Sequence, residues 1–166
     1  MKNMSVPANK REEAIRGLSL RPRVTELLLK NADFGALSRY FELPHYFYSK
    51  GYPESPGDWP ELGNRELLPL WEFSEEIYAL DLISNKLITF NIEYPTEYES
   101  LDSIDQAIFK MIELHTWEFG GEEQEINEAI EFAERVKLPN IPGLTKLFAQ
   151  YMECTEEMIT KFRQSL

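Results

Sequence analysis

Residues 77–94 constrain this chain more than any other stretch. Residues 77–82 alternate around Tyr78, Leu80 and Leu82. Residues 87–94 read Leu-Ile-Thr-Phe-Asn-Ile-Glu-Tyr, rich in the β-branched and aromatic types that fit a pleated, half-buried surface. Ser84, Asn85 and Lys86 between them supply a tight polar turn. Two such runs with so short a connection predict an antiparallel hairpin. A lone hairpin is marginal in water, so at least one further strand is expected. Residues 66–73 (ELLPLWEF) are apolar enough to provide it. Pro69 lacks an N–H, which makes that strand an edge or an irregular one.

Helical spacing brackets this β region. In residues 10–18, Ala14, Ile15 and Leu18 share one face. Pro22 suits a helix start, and Val24, Leu27 and Leu28 carry an apolar stripe to about residue 30, with Asn31 and Gly35 as punctuation. Five aromatics crowd into residues 40–48, and residues 51–60 (GYPESPGDWP) read as a loop. Beyond Pro95, Asp102 or Ser103 can cap a helix that turns Ile104, Ala107, Ile108, Met111, Ile112 and either Leu114 or His115 inward. Gly120 and Gly121 stop it. Residues 122–137 form a second helix with the stripe Ile126, Ala129, Ile130 and Ala133. After Pro139 and Pro142, residues 144–152 and 155–166 give one or two closing helices. The order is helices, strands, helices, which predicts the α+β class: a mostly antiparallel sheet flanked by N- and C-terminal helices. A length of 166 residues suits one domain, residues 1–166, with residues 1–9 as a polar tail.

Charge divides the chain unevenly. Residues 1–50 hold nine Lys/Arg and five Asp/Glu, a net of +4, whereas residues 51–166 hold eight and 24, a net of −16. Between Glu93 and Glu134 there are 13 acids and a single base, Lys110. Such a chain is repelled by phosphate backbones and anionic membranes, which argues against nucleic acid or a membrane as partner. It attracts basic proteins. Cys154 is the only cysteine, so no intrachain disulfide exists. The first 20 residues hold no apolar h-region, and no run approaches the ~18 apolar residues that span a bilayer. The cytoplasm is the expected compartment.

Catalytic motifs are missing. The sequence has no G-x-S-x-G, no Walker loop and no G-x-G-x-x-G. Glu93, Glu97, Glu99, Asp102 and Asp105 include enough carboxylates for a chance pair, but nothing in their spacing defines a glycosidase or calcium site. His115 and Glu118, three apart on a helix, would share a face and supply two metal ligands of a metal-dependent enzyme, given a third from the fold. The expectation is no enzyme, no cofactor and no metal.

The strings ELLPLWEF (66–73), IYALDL (77–82) and KLITFNIEYP (86–95) together resemble the SUKH superfamily. The shared pattern is a Leu-Pro strand, a strand ending in Ala-Leu-Asp-Leu, and a strand leading to an acidic loop with a helix after it. That superfamily includes bacterial immunity proteins and fungal regulators of cell-wall synthesis. The resemblance implies an α+β fold without catalytic residues. It also implies a protein that neutralises a basic toxin, such as a nuclease encoded nearby, by direct binding. The other reading it implies is a regulatory scaffold, which would bind several partners or self-associate, as a homodimer, through residues 40–48. The residues expected to meet a partner are Trp71, Glu72, Glu93, Tyr94, Glu97, Tyr98, Glu99 and Asp102, acids interleaved with aromatic anchors.

Overall fold

The computed structural model describes residues 5–49, 65–94, 98–118 and 121–166. Among the described residues there are seven α-helices and one four-stranded antiparallel sheet, an α+β protein. The chain divides into two compact units, residues 1–32 with 39–102 and residues 33–38 with 103–166. The loop expected at residues 51–60 lies outside the described residues.

The first unit holds the sheet: β1 (Leu67–Phe73), β2 (Glu76–Asp81), β3 (Lys86–Asn91) and β4 (Tyr98–Leu101), paired in chain order. β2 and β3 are the expected hairpin, in register from Glu76↔Asn91 to Asp81↔Lys86. Asp81 closes the turn, its carboxylate accepting from the Ile83 N–H (3.1 Å) and the Ser84 hydroxyl (2.7 Å). Asn85 takes the left-handed conformation (φ 55°) that asparagine tolerates. β1 is an edge strand, and its register shifts between Pro69 and Trp71, as a proline without an N–H requires. The second edge, β4, was not foreseen. Its four residues are too few, and too polar at Glu99 and Ser100, to show a strand period.

Alternation along the strands gives both faces of the sheet apolar side chains. Ile77, Ala79, Ile88, Phe90 and Ile92 form one core cluster with Leu67 and Phe47. On the opposite face Trp71 stacks on its cross-strand partner Tyr78, ring centroids 4.6 Å apart, and meets Phe41 at 5.0 Å. Helices α1 (Ala8–Gly17), α2 (Pro22–Leu28) and the short α3 (His45–Ser49) complete the unit. α2 begins at Pro22 and buries Val24, Leu27 and Leu28. α1 buries Ile15 as its spacing predicts, and also Arg11. The Arg11 guanidinium donates to the carbonyls of Pro69 (2.8 Å), Leu28 (3.0 Å) and Leu70, joining α1 to α2 and β1. Burial pulls its pKa below the ordinary value, partly offset by Tyr48 and Glu12.

The second unit is helical. Ser103 caps α4 (Ile104–Glu113), accepting from the Gln106 N–H at 3.1 Å. A π-turn (Leu114–Glu118) follows. α5 (Glu123–Val136) starts in a capping box between Glu122 and Glu125, and it ends where Lys137 turns left-handed. Asn140 and Thr155 cap α6 (Ile141–Ala149) and α7 (Glu156–Gln164). Phe109 of α4 packs on Phe162 of α7 at 4.9 Å, and Phe34 meets Phe132 of α5 edge to face at 6.4 Å. No helix among the described residues is long and apolar enough to cross a membrane.

Candidate partner-binding surface

The chain leaves β3 through Glu93 and Tyr94 and enters β4 at Tyr98, opposite Phe90, so these residues share one end of the sheet. Asn91 orders the exit, its side chain accepting from the Glu93 N–H at 2.8 Å. The Tyr46 hydroxyl donates to the Glu93 carboxylate. Tyr94 is 72% exposed and Tyr98 43%. Arg65 fixes Tyr98 from one side, donating to its hydroxyl at 2.6 Å while the guanidinium sits 4.5 Å from the ring centroid. The same Arg65 donates to Asp81 at 2.7 Å. Burial pushes the Asp81 carboxyl up, but donors from Ser84, Ile83 and Arg65 outweigh it and hold the pKa below the ordinary value. Glu99 follows on β4, exposed and opposite Thr89. This end of the sheet exposes two tyrosines and two carboxylates, residue types that suit recognition of a basic surface.

The expected contact residues therefore separate. Glu93, Tyr94, Tyr98 and Glu99 are exposed at one end of the sheet, with Tyr98 and Glu99 on opposite faces of β4. Asp102 is also exposed, but it lies beyond the far end of β4, about 13 Å from Tyr98 at the usual strand rise. Glu97 lies outside the described residues. Trp71 and Glu72 have no surface to offer. Trp71 is fully buried, and Glu72, 7% exposed, turns inward. Its two carboxylate oxygens accept from the backbone N–H groups of Tyr46 (2.8 Å) and Phe47 (3.1 Å), the first turn of α3. Glu72 was expected to meet a partner. Paired with Ile77, it shares the sheet face that packs on Phe47, and there its carboxylate meets the N–H groups of α3.

The aromatic stretch 40–48 is in the same position. Tyr40, Phe41 and Phe47 are each no more than 1% exposed, so they serve the core instead of a self-association surface. The Tyr48 hydroxyl donates to the Val6 carbonyl at 2.9 Å, and burial pushes its pKa up to about 12.

In the second unit, several acids of the 93–134 stretch are spent internally. Glu113 makes a two-pronged pair with Arg163 (2.8 and 2.7 Å). Burial pushes the Glu113 carboxyl above its ordinary range despite that partner. Asp105 is buried. The Glu128 carboxylate accepts from His115 Nε2 at 2.8 Å. The outward acids here include Glu118, Glu122, Glu123, Glu131 and Glu134.

His115 and Glu118 do not share a face. They sit in the π-turn, where the i→i+5 pattern changes the angular step, and His115 is buried while Glu118 is exposed. Among the described residues, no group of three His, Cys, Asp or Glu is placed to hold a metal ion. The Cys154 thiol donates to the Leu147 carbonyl at 3.2 Å, and burial pushes its pKa up, which disfavours a thiolate.

Sequence reasoning missed residues 148–153. A helix was expected through residue 152, but α6 ends at Ala149 and a 3-10 turn (Tyr151–Glu153) swings Met152 out to 90% exposure. The only signal was the polar Gln150 after an apolar stripe. No family model matches this sequence, and no curated protein or solved structure matches it.

Proposed function

We propose that this chain is a non-catalytic binding protein that docks on a basic protein, in the manner of the immunity proteins of the SUKH superfamily it resembles. The observation that carries the reading is the exposed end of β3 and β4, where Tyr94 and an Arg65-held Tyr98 stand out to solvent along with the carboxylates of Glu93 and Glu99. Tyrosine supplies large contact area at low entropic cost, and carboxylates steer a basic partner to it. A nuclease toxin must be basic to hold its phosphate-rich substrate, so an acidic inhibitor is complementary to it.

Calorimetric titration of the protein with a toxin-type protein encoded beside it, at low and high salt, tests the reading. Tight binding is expected, weakening with salt. Tyr94→Ala and Glu99→Lys should each reduce affinity by about tenfold or more, the second mainly through the association rate. The reading fails if such a partner does not bind, or binds indifferently to both salt and Glu99→Lys.

A further inference from the structure

An open groove of about 470 Å³ lies between the start of α5 and the Tyr151–Glu153 turn. Its size is that of cavities that take small ligands or a few side chains, roughly 300–1,000 Å³. Ile126, Phe148 and Tyr151 supply apolar and aromatic surface, Met152 forms a projecting lip, and Glu123 and Glu153 place carboxylates on the rim. Both glutamates are exposed, and the described lining contains no basic side chain.

The wall beside it is held from within. Gly121 has φ 121°, and a Cβ there would stand 2.9 Å from the Tyr151 hydroxyl, so only glycine lets that tyrosine close in. The hydroxyl donates to the Thr116 carbonyl in the π-turn at 2.6 Å. Trp117 stacks on Tyr151 (centroids 5.2 Å, planes 18° apart) and leans on Phe148 at 5.3 Å. A wall fixed in this way needs little ordering when something binds, which favours affinity.

An apolar floor under a rim of carboxylates matches one side-chain chemistry well. Arginine and lysine lay an alkyl stem along apolar surface and carry a cation at the tip. A methionine lip adapts to irregular neighbours. We infer that this groove takes an arginine-bearing aliphatic segment of a protein partner, a contact separate from the β3–β4 surface. The inference rests on the reading that the chain binds a basic protein, and it names a second point of attachment.

The test uses the full chain with ¹³C-methyl methionine. The probe is a blocked Leu-Arg-Leu-Arg peptide, compared with its Leu-Gln-Leu-Gln counterpart. Saturable movement of the Met152 methyl resonance is expected with the arginine peptide, at least about tenfold weaker with the glutamine peptide. Glu123→Gln with Glu153→Gln should lower affinity for the arginine peptide by about tenfold while the other methionine resonances keep their positions. Three results would overturn the inference: a Met152 methyl that does not respond, an equal response to both peptides, or a response to protein concentration alone, which would mean a second copy occupies the groove. The two readings fail separately. If the basic partner protein binds the glutamine variant as tightly as the wild type and loses affinity only with Glu99→Lys, the groove is wrong and the function stands. If the peptide seats at Met152 but no basic protein partner binds, the function is wrong.

Discussion

Replacing Glu72 by alanine removes a side-chain cap from the start of α3. The residue before that helix is Pro44, whose side chain carries no acceptor, so the carboxylate of a distant strand takes the role. Each oxygen holds one N–H, Tyr46 at 2.8 Å and Phe47 at 3.1 Å. Hydrogen bonds to a charged group contribute about 1.5–3 kcal/mol each, and a buried donor left without a partner costs its full desolvation. Phe47 is fully buried and its N–H has no route to water, whereas Tyr46 is half-buried and recovers part of the loss. The sum for Glu72→Ala is about 3 kcal/mol, with the shortfall from two full bonds set by that recovery. Glu72→Gln keeps one acceptor oxygen and should cost about half as much. Urea unfolding read by Trp71 is the assay, in a Trp59→Phe, Trp117→Phe background that leaves one of the three tryptophans. Trp71 belongs to the same unit as α3, so the signal follows the affected part. A loss below about 1 kcal/mol for alanine, or equal losses for alanine and glutamine, would refute the capping argument. Once folded, both variants should bind a basic partner like the wild type, because Glu72 lies inside.

Arg11→Lys keeps the charge but not the fork that reaches three carbonyls. It should lose about 2 kcal/mol in the same urea assay, with Arg11→Met losing more, and a neutral Arg11→Lys would contradict the role assigned to that fork. Tyr48 has its pKa raised from 10.0 to about 12 by burial, so its contribution is intact below pH 10 and is lost as pH climbs from there through 12. Subtracting the phenolate absorbance titration of Tyr48→Phe from that of the wild type should show one step near pH 12, and a step near pH 10 would mean the hydroxyl is not held against Val6.

Period and punctuation made the helices and the central hairpin readable. Pro22 begins α2, Ser103 caps α4, and the turn sits between Leu82 and Lys86, each within a residue or two of where local chemistry puts it. These features depend on neighbours a few positions apart, and such neighbours are visible in a string of letters. The exposure of Glu93, Tyr94 and Glu99 was legible for the same reason, since polar residues crowd a strand end. Trp71 and Glu72 were misplaced because an aromatic and an acid look alike whether they face solvent or a covering segment 25 or more residues away.

What the sequence determined by itself was the α+β class, the position of the hairpin and the imbalance of charge. Those follow from local propensity and from simple counting of acids and bases. What only the tertiary structure decided was which acids remain outside. Glu72 went to cap α3, Glu113 to Arg163 and Glu128 to His115, while Glu93 and Glu99 stayed at the open end of the sheet. A carboxylate's fate depends on which donors the fold brings within about 3 Å of it, and that distance is set by packing between segments remote in the chain.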